Sequence, residues 1–391
     1  MMNHRLILLS DRYISPVLMD CAVRRGIPVF PLKEELGTEL SRRFTGLKLI
    51  SEQTAAEIIR SGAKYYTNTE DVLSKIVADT TDQVLIDNIN VFKDKFRFRE
   101  LLKPLFDDFQ YFQIDPENPV QVKLKMGKEY ILKPNRGLFS IGIRKARTGQ
   151  ELEKAVSEMK VELARYKDIA ETVLDTKKLI LEECVSGMEY ACDAAFDPDG
   201  KPVIYSIMQH PFSSPDDFRD VIYCTSREIM REMLPKVADL MLKISRLMGI
   251  RNFPVHFEFR VCDGELFPIE FNPLRFAAIG LSDLPHYAYG FNSFELYFDS
   301  IAPDWEKILA GKDERFYYSV LGVTPPGLEA AKPNLKGFIK TFKDLLFFEE
   351  FNPLKTHFFC LALARSEKRE EMLKYLELDF NEFYQKSRGD L

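Results

Sequence analysis

Three oxygen-bearing side chains, Glu258, Glu270 and Asn272, have the types and spacing that most suggest chemistry. They lie on two apolar stretches, Phe253 to Val261 and Glu265 to Phe271, separated by Cys262-Asp-Gly264, a turn composition that predicts a β-hairpin. Strand alternation puts His256, Glu258 and Arg260 on one face of the first stretch. On the second, Pro268, Glu270 and Asn272 share a face. Two carboxylates and an amide oxygen converging from paired strands form a hard-oxygen set suited to Mg²⁺ or Mn²⁺, with phosphate oxygens completing the shell. The competing reading leaves both glutamates in solvent on an edge hairpin. Against it, Phe257, Phe259, Ile269 and Phe271 make the opposite face strongly apolar.

Two lysines invite the same weighing. Lys133 ends the apolar strand Glu129 to Lys133 and precedes the loop Pro134-Asn-Arg-Gly-Leu-Phe-Ser140. A strand-end cation beside a glycine-containing turn can meet phosphate, with loop N–H groups as further donors. Lys95 falls in a basic, aromatic helix expected from Phe92 to Leu105, together with Lys93, Arg97 and Arg99. Its plainer reading is a solvated basic face. The run Glu182-Glu-Cys-Val-Ser-Gly-Met-Glu189 follows an apolar strand and reads as a hinge between lobes. Extended hinge backbone can read the edge of an adenine, and Glu189 could accept two ribose hydroxyls.

These residues need a scaffold of several lobes. Leu6 to Leu9, a helix from Ser15 to Arg25 closed by Gly26, and Ile27 to Phe30 begin a strand–helix alternation that continues through Lys48–Ile50, Thr54–Gly62 and Tyr65–Tyr66. That is the pattern of a small parallel sheet covered by helices. The turn Ser10-Asp-Arg-Tyr-Ile-Ser15 contains no glycine, so a structural α/β lobe outweighs a dinucleotide site there. Strand, loop, strand, helix and strand between about 117 and 184 describe a small α+β cap. Two hairpins and a long helix, Ser226 to Met248, then predict a larger antiparallel-sheet lobe. After Trp305 a C-terminal segment is expected to hold one strand, Phe358 to Ala364, and one helix, Glu367 to Leu376. Its aromatics Phe338, Phe342, Phe347, Phe348 and Phe351 could line an apolar pocket or a homodimer interface, with ordinary core as the weightier alternative.

Composition narrows the classes. A chain of 391 residues is long for one core and predicts two to four lobes. A net charge of −6 leaves no cationic surplus for a duplex, so no nucleic-acid partner is expected. The six cysteines form no CxxC pair, which disfavours a zinc site or disulfide framework and suits a reducing setting. No stretch approaches the roughly 20 apolar residues needed to cross a bilayer. A cytoplasmic protein without a membrane partner is the expectation.

The order of these features carries a resemblance. Lys95, then Lys133 with its loop, then Leu181-Glu-Glu-Cys-Val-Ser-Gly-Met-Glu-Tyr190, then His256-Phe-Glu-Phe-Arg260 and Ile269-Glu-Phe-Asn-Pro-Leu-Arg275, resembles the sequential signature of the ATP-grasp superfamily over about residues 1 to 300. The hinge and hairpin resemble those of carboxylate–amine ligases such as D-alanine–D-alanine ligase; biotin carboxylase and carbamoyl-phosphate synthetase contain related domains. The resemblance implies a mixed α/β and α+β fold. Its parts would be an N-terminal parallel α/β domain (1–91), an ATP-grasp domain (92–304) with a lid at about 117–184, and a C-terminal α+β extension (305–391).

It also implies roles. Lys95 and Lys133 would contact the α- and β-phosphates of ATP. Glu182, Glu183 and Val185 would hold adenine, the last two mainly through backbone, and Glu189 the ribose. Glu258, Glu270 and Asn272 would bind Mg²⁺ or Mn²⁺. The phosphate-covering loop departs from the family by carrying only Gly137 and Gly142, which leaves Ser140 as hydroxyl donor. D-alanine–D-alanine ligase has an arginine two positions before the first metal carboxylate, where this chain has His256. The anion-stabilising role would then pass to Arg275, with His256 as a supporting polar group and Arg219 as a further phosphate contact. The implied reaction turns a small-molecule carboxylate into an acyl phosphate that an amine attacks, with release of ADP and phosphate. A protein- or peptide-modifying ligase or phosphotransferase, or a non-catalytic ATP-binding protein, are the alternatives.

Overall fold

The computed structural model describes residues 4–117, 122–137, 142–164, 175, 177–214, 217 and 219–384. Leu6 to Leu9 are all buried, as a strand covered by helices on both faces requires. This strand, β1 (Arg5–Leu9), joins β2 (Pro28–Pro31), β3 (Lys48–Leu49) and β4 (Lys64–Thr67) in a parallel sheet of order β3-β2-β1-β4. The first helix, Pro16–Arg25, starts at Ser15, whose hydroxyl accepts from Leu18 N–H, and ends at Gly26 with φ +59°. The expected parallel α/β lobe is present.

The basic, aromatic segment is two helices, Gln83–Lys93 and Lys95–Leu102. Asp94 between them is extended, and its carboxylate accepts the Arg97 amide at 3.0 Å. An N-capping aspartate thus interrupts the single helix expected from Phe92 to Leu105.

The small lobe is a four-stranded antiparallel sheet of β5 (Tyr111–Ile114), β6 (Tyr130–Pro134), β7 (Arg144–Ala146) and β8 (Leu179–Glu183), in the order β5-β8-β6-β7. The helix Gly149–Leu163 covers one face, packing Met159 and Leu163 against Tyr130, Leu132 and Leu181. Its first strand precedes the span expected for the lid. Ser140 lies outside the described residues.

The third sheet has eight strands: β9 (Met188–Phe196), β10 (Pro202–His210), β11 (Ile222–Thr225), β12 (Phe253–Cys262), β13 (Glu265–Pro273), β14 (Phe316–Val323), β15 (Leu345–Glu350) and β16 (Phe358–Ser366). Their order is β13-β12-β9-β10-β11-β14-β16-β15. The long helix Arg227–Met248, closed by Gly249 in the left-handed conformation, packs beneath β10, where Met230 Sδ accepts from Ile207 N–H. The C-terminal segment holds three strands where one was expected, and they continue the large sheet through β11. The expected helix there is short, Arg369–Leu373, running into a 3₁₀ turn at Lys374–Leu376. Phe338 and Phe342 are buried, and Phe342 stacks on Tyr375 with centroids 4.8 Å apart, so these two aromatics are core.

Candidate active site

The predicted hairpin forms with Glu258 directly opposite Glu270 and His256 opposite Asn272. One strand further in, β9 places Ala191 beside Glu258 and Asp193 beside His256. The site face therefore consists of rows running across three strands: Asp193–His256–Asn272 and Ala191–Glu258–Glu270. Beneath this face, Phe257, Phe259 and Phe271 are fully buried, which fixes which side of the hairpin the polar residues must occupy. A bulge at Ile269 shifts the register, so Pro268 pairs with Phe259 rather than extending the Glu270 row. The expected shared face of Pro268, Glu270 and Asn272 is broken at that point.

Lys95 reaches this face from the start of its helix, with Nζ 3.1 Å from Glu270 Oε1. Burial pushes the Glu270 carboxyl up, but Lys95, Lys133 and Lys93 together hold it well below the usual carboxylate range. The solvated-face reading of Lys95 fails, since its side chain is only 12% exposed. His256 is buried between two carboxylates, its Nδ1 2.9 Å from Asp193 Oδ1 and its Nε2 3.5 Å from Glu258 Oε1. Burial opposes its charge, yet these two partners raise its pKa to about 9. Its two carboxylate partners thus favour the protonated imidazolium. Asp193 Oδ1 also accepts the Ala277 amide at 2.7 Å, which ties β9 to the segment after β13.

That segment carries Arg275. Leu274 before it has φ +58°, and its carbonyl accepts from the Thr67 amide of β4 at 2.8 Å, so the chain turns toward the N-terminal lobe. Arg275 Nη1 donates to Phe276 O at 3.0 Å, and Nη2 lies 3.4 Å from Glu70 Oε1. Glu70 belongs to the N-terminal lobe and also pairs with Lys93.

Across the cleft, Lys133 Nζ lies 2.5 Å from Glu182 Oε1, while Arg99 Nε lies 2.7 Å from Glu182 Oε2. Burial pulls the Lys133 ammonium down, opposed by Glu182 and aided by Lys95 and Arg99. The Glu182 side chain, expected at adenine, is thus committed to a buried ion-pair triad. Glu183 Oε1 accepts from the Gln110 amide and lies 2.8 Å from Lys125 Nζ. The Val185 carbonyl accepts from Arg260 Nη1 at 2.8 Å. Glu189, expected at ribose, receives Arg260 Nε and Nη2 on Oε2, each at 2.9 Å, and His210 Nδ1 on Oε1 at 3.2 Å. Arg219 pairs with Asp217 and the Leu376 carbonyl, so the expected phosphate contact is replaced by a link to the C-terminal segment.

Sequence reading missed Arg99, Glu70, Asp193, His210 and Asp220. His210 pairs in register with Glu189 and stacks on Tyr223 at 4.0 Å. Tyr223 OH donates to Asp220 Oδ1 at 3.0 Å, and burial, with Glu258 and Glu189 close by, raises the Asp220 carboxyl. Strand alternation from Glu189, two residues at a time, leads to Asp193; His210 lies on the next strand and comes to Glu189 only through the β9–β10 register.

The donor set fits a hard cation. Among the described residues no three His, Cys, Asp or Glu side chains converge into a closed cage. Two carboxylates and an amide supply part of a shell, as suits Mg²⁺, which keeps water and phosphate oxygens as its other ligands.

Residues 126–283 match the family model of the ATP-grasp domain. Over that span the chain is similar to the ATP-grasp domain. The matched span contains Lys133, the hinge, the hairpin and Arg275, whereas Glu70, Lys93, Lys95 and Arg99 reach these residues from outside it. Solved structures agree on the ATP-grasp fold. An L-amino acid ligase from Bacillus licheniformis superposes with TM-score 0.66 at 16% identity, covering 99% of this chain and 100% of that one. An N5-carboxyaminoimidazole ribonucleotide synthetase from Thermus thermophilus gives 0.63 at 13% identity, covering 98% and 100%. The biotin carboxylase domain of a Hydrogenobacter thermophilus 2-oxoglutarate carboxylase, solved with MgADP, ADP and bicarbonate, gives 0.60 at 13%, covering 94% and 87%. No curated protein matches by sequence.

Proposed function

We propose that the protein is an ATP- and Mg²⁺-dependent ligase that activates a small-molecule carboxylate as an acyl phosphate and joins it to an amine, releasing ADP and phosphate. The carrying observation is the Glu258–Glu270 pair with Asn272 beside it, facing Lys95 and flanked by Lys133 and Arg275. Bound Mg²⁺ would neutralise charge on the transferring phosphoryl group and hold its oxygens in line. Glu258, Glu270 and Asn272 would hold the metal. Lys95, once Glu270 engages a cation, would be freed to meet phosphate, and Lys133 would serve it from the small lobe.

A carboxylate oxygen of the acid attacks the γ-phosphorus, and the β–γ bridging bond breaks toward ADP. The amine then adds to the acyl carbon, phosphate leaves, and the departing phosphate takes up the amine proton. Arg275 would stabilise the oxyanions on either side of this step. Closure of the small lobe would exclude the water that would otherwise hydrolyse the acyl phosphate. The hinge backbone around Glu183 and Val185 would read adenine, and Glu189 would take ribose hydroxyls by exchanging its contacts with Arg260 and His210. A cytoplasmic setting agrees with six unpaired thiols, and among the described residues no helix is long and apolar enough to cross a membrane.

The test is incubation with Mg-ATP and separate pools of carboxylates and amines. ADP and phosphate whose release needs both pools supports the ligase. A phosphorylated product without free phosphate would make it a phosphotransferase, and nucleotide binding without turnover a non-catalytic domain.

A further inference from the structure

Lys93 and Arg275 approach the cleft from two separate segments and share one acidic partner, Glu70, of the N-terminal lobe. All three side chains are largely enclosed, at 14%, 13% and 21% exposure. On an unbroken helix, residues two apart lie about 200° apart around the axis and could not serve one site. The Asp94 cap breaks the helix between Lys93 and Lys95, and both ammonium groups turn to the cleft, Lys95 onto Glu270 and Lys93 onto Glu70. Burial first, and then the nearby Lys95, pull Lys93 down to about 7, with Arg275 and Arg136 adding to this and Glu270 opposing.

We propose that Lys93 and Arg275 form a receptor for an oxyanion, carboxylate or phosphoryl, and that the Glu70 carboxylate is its resident occupant, displaced when that oxyanion arrives. Both ends have independent support. The turn carrying Glu70 is anchored through its neighbours: Asn68 Oδ1 accepts the Ser10 amide at 2.9 Å, and the Thr69 and Ser10 hydroxyls lie 2.9 Å apart. The Glu70 side chain can therefore swing aside while its backbone stays. Arg275 keeps its bond to Phe276 O, and Lys93 its place at a helix end. Neither cation needs Glu70 as a brace. In the ligase reading, on which this assignment to a substrate rests, the displacing group is the acid as it becomes the acyl phosphate.

The experiment is calorimetric titration of the full chain with inorganic phosphate and, separately, acetate, each with saturating Mg-ADP and without nucleotide. Lys93→Gln and Arg275→Gln are expected to weaken binding roughly tenfold or more, the loss of one charge-assisted contact. Glu70→Gln is expected to tighten it about threefold or more by removing the competing charge. Phosphate binding more tightly than acetate assigns the receptor to the phosphoryl group, and the reverse assigns it to the carboxylate. The proposal is overturned by unchanged binding in Lys93→Gln, by no binding of either anion to the wild type, or by weaker binding in Glu70→Gln, which would make Glu70 a brace. Should Lys93→Gln fail to fold, the sign of the Glu70→Gln effect still decides. Failure of Mg-ADP to bind counts against the ATP cleft alone, because the nucleotide-free titrations test the receptor without it.

Discussion

Arg99 Nε lies 2.7 Å from Glu182 Oε2, and the same guanidinium donates to the carbonyls of Pro268 and Ile269 at 2.7 and 3.2 Å. One side chain thus pins the small lobe's β8 to the large sheet's β13, with both charged partners buried. Breaking a buried pair from one side strands the other charge. Arg99→Met should cost about 3–5 kcal/mol in urea unfolding. A loss under about 1 kcal/mol, the range of an exposed pair, would show that water reaches this triad.

Glu270→Gln should leave the fold intact and reduce turnover by about 10²–10³-fold or more, the scale of removing one group that stabilises transition-state charge. The neutral amide keeps the shape but forfeits a charged metal ligand and the pairing with Lys95. Circular dichroism and ADP release together check this, and wild-type turnover in the variant would sink the metal assignment.

Asp283 offers a pH test away from the metal residues. Burial raises its carboxyl to about 7, against hydrogen bonds from Ser15 and Tyr13 that favour the charged form. The unfolded chain therefore gives up this proton at lower pH than the folded one. The contribution of Asp283 is least costly below about pH 4 and becomes steadily more destabilising up to about pH 7, then levels off. Melting temperatures of wild type and Asp283→Asn should diverge in the variant's favour across that window. Parallel curves would mean the carboxyl titrates normally.

Gly187 lies between β8 and β9 with φ +104°, and a Cβ built there would stand 2.1 Å from the Val261 carbonyl oxygen. Gly187→Ala should destabilise by about 1–3 kcal/mol for the backbone strain alone. Because the residue joins the two lobes, Mg-ADP affinity should fall as well. Unchanged melting and affinity would place the pivot elsewhere.

Much of the scaffold was legible because hydrophobic period and turn chemistry are local. The hairpin around Cys262-Asp-Gly264 and the helix between Ser15 and Gly26 follow from neighbouring residues alone. The bulge at Ile269 was not legible, since nothing in Pro-Ile-Glu says which residue will be left unpaired. Asp94 looked like one acid in a basic helix, and only its extended backbone reveals a cap. Glu182 was read by its position in the hinge, whereas its partner Arg99 lies 83 residues away and is invisible without the fold. Glu70 was missed for the same reason. The strand β15 was hidden in an aromatic run that reads as core before it reads as strand or pocket, and β14 lies ahead of that run.

The bulged strand β13 is the outermost member of the eight-stranded sheet. An outer strand with open carbonyls is a template on which another chain can add itself. Here Pro268 has no N–H to offer, and the carbonyls of Pro268 and Ile269 are already occupied by Arg99. The residue that joins the lobes thus also shields the molecule from self-association, and losing it should favour aggregates that grow from the same strand that carries Glu270 and Asn272.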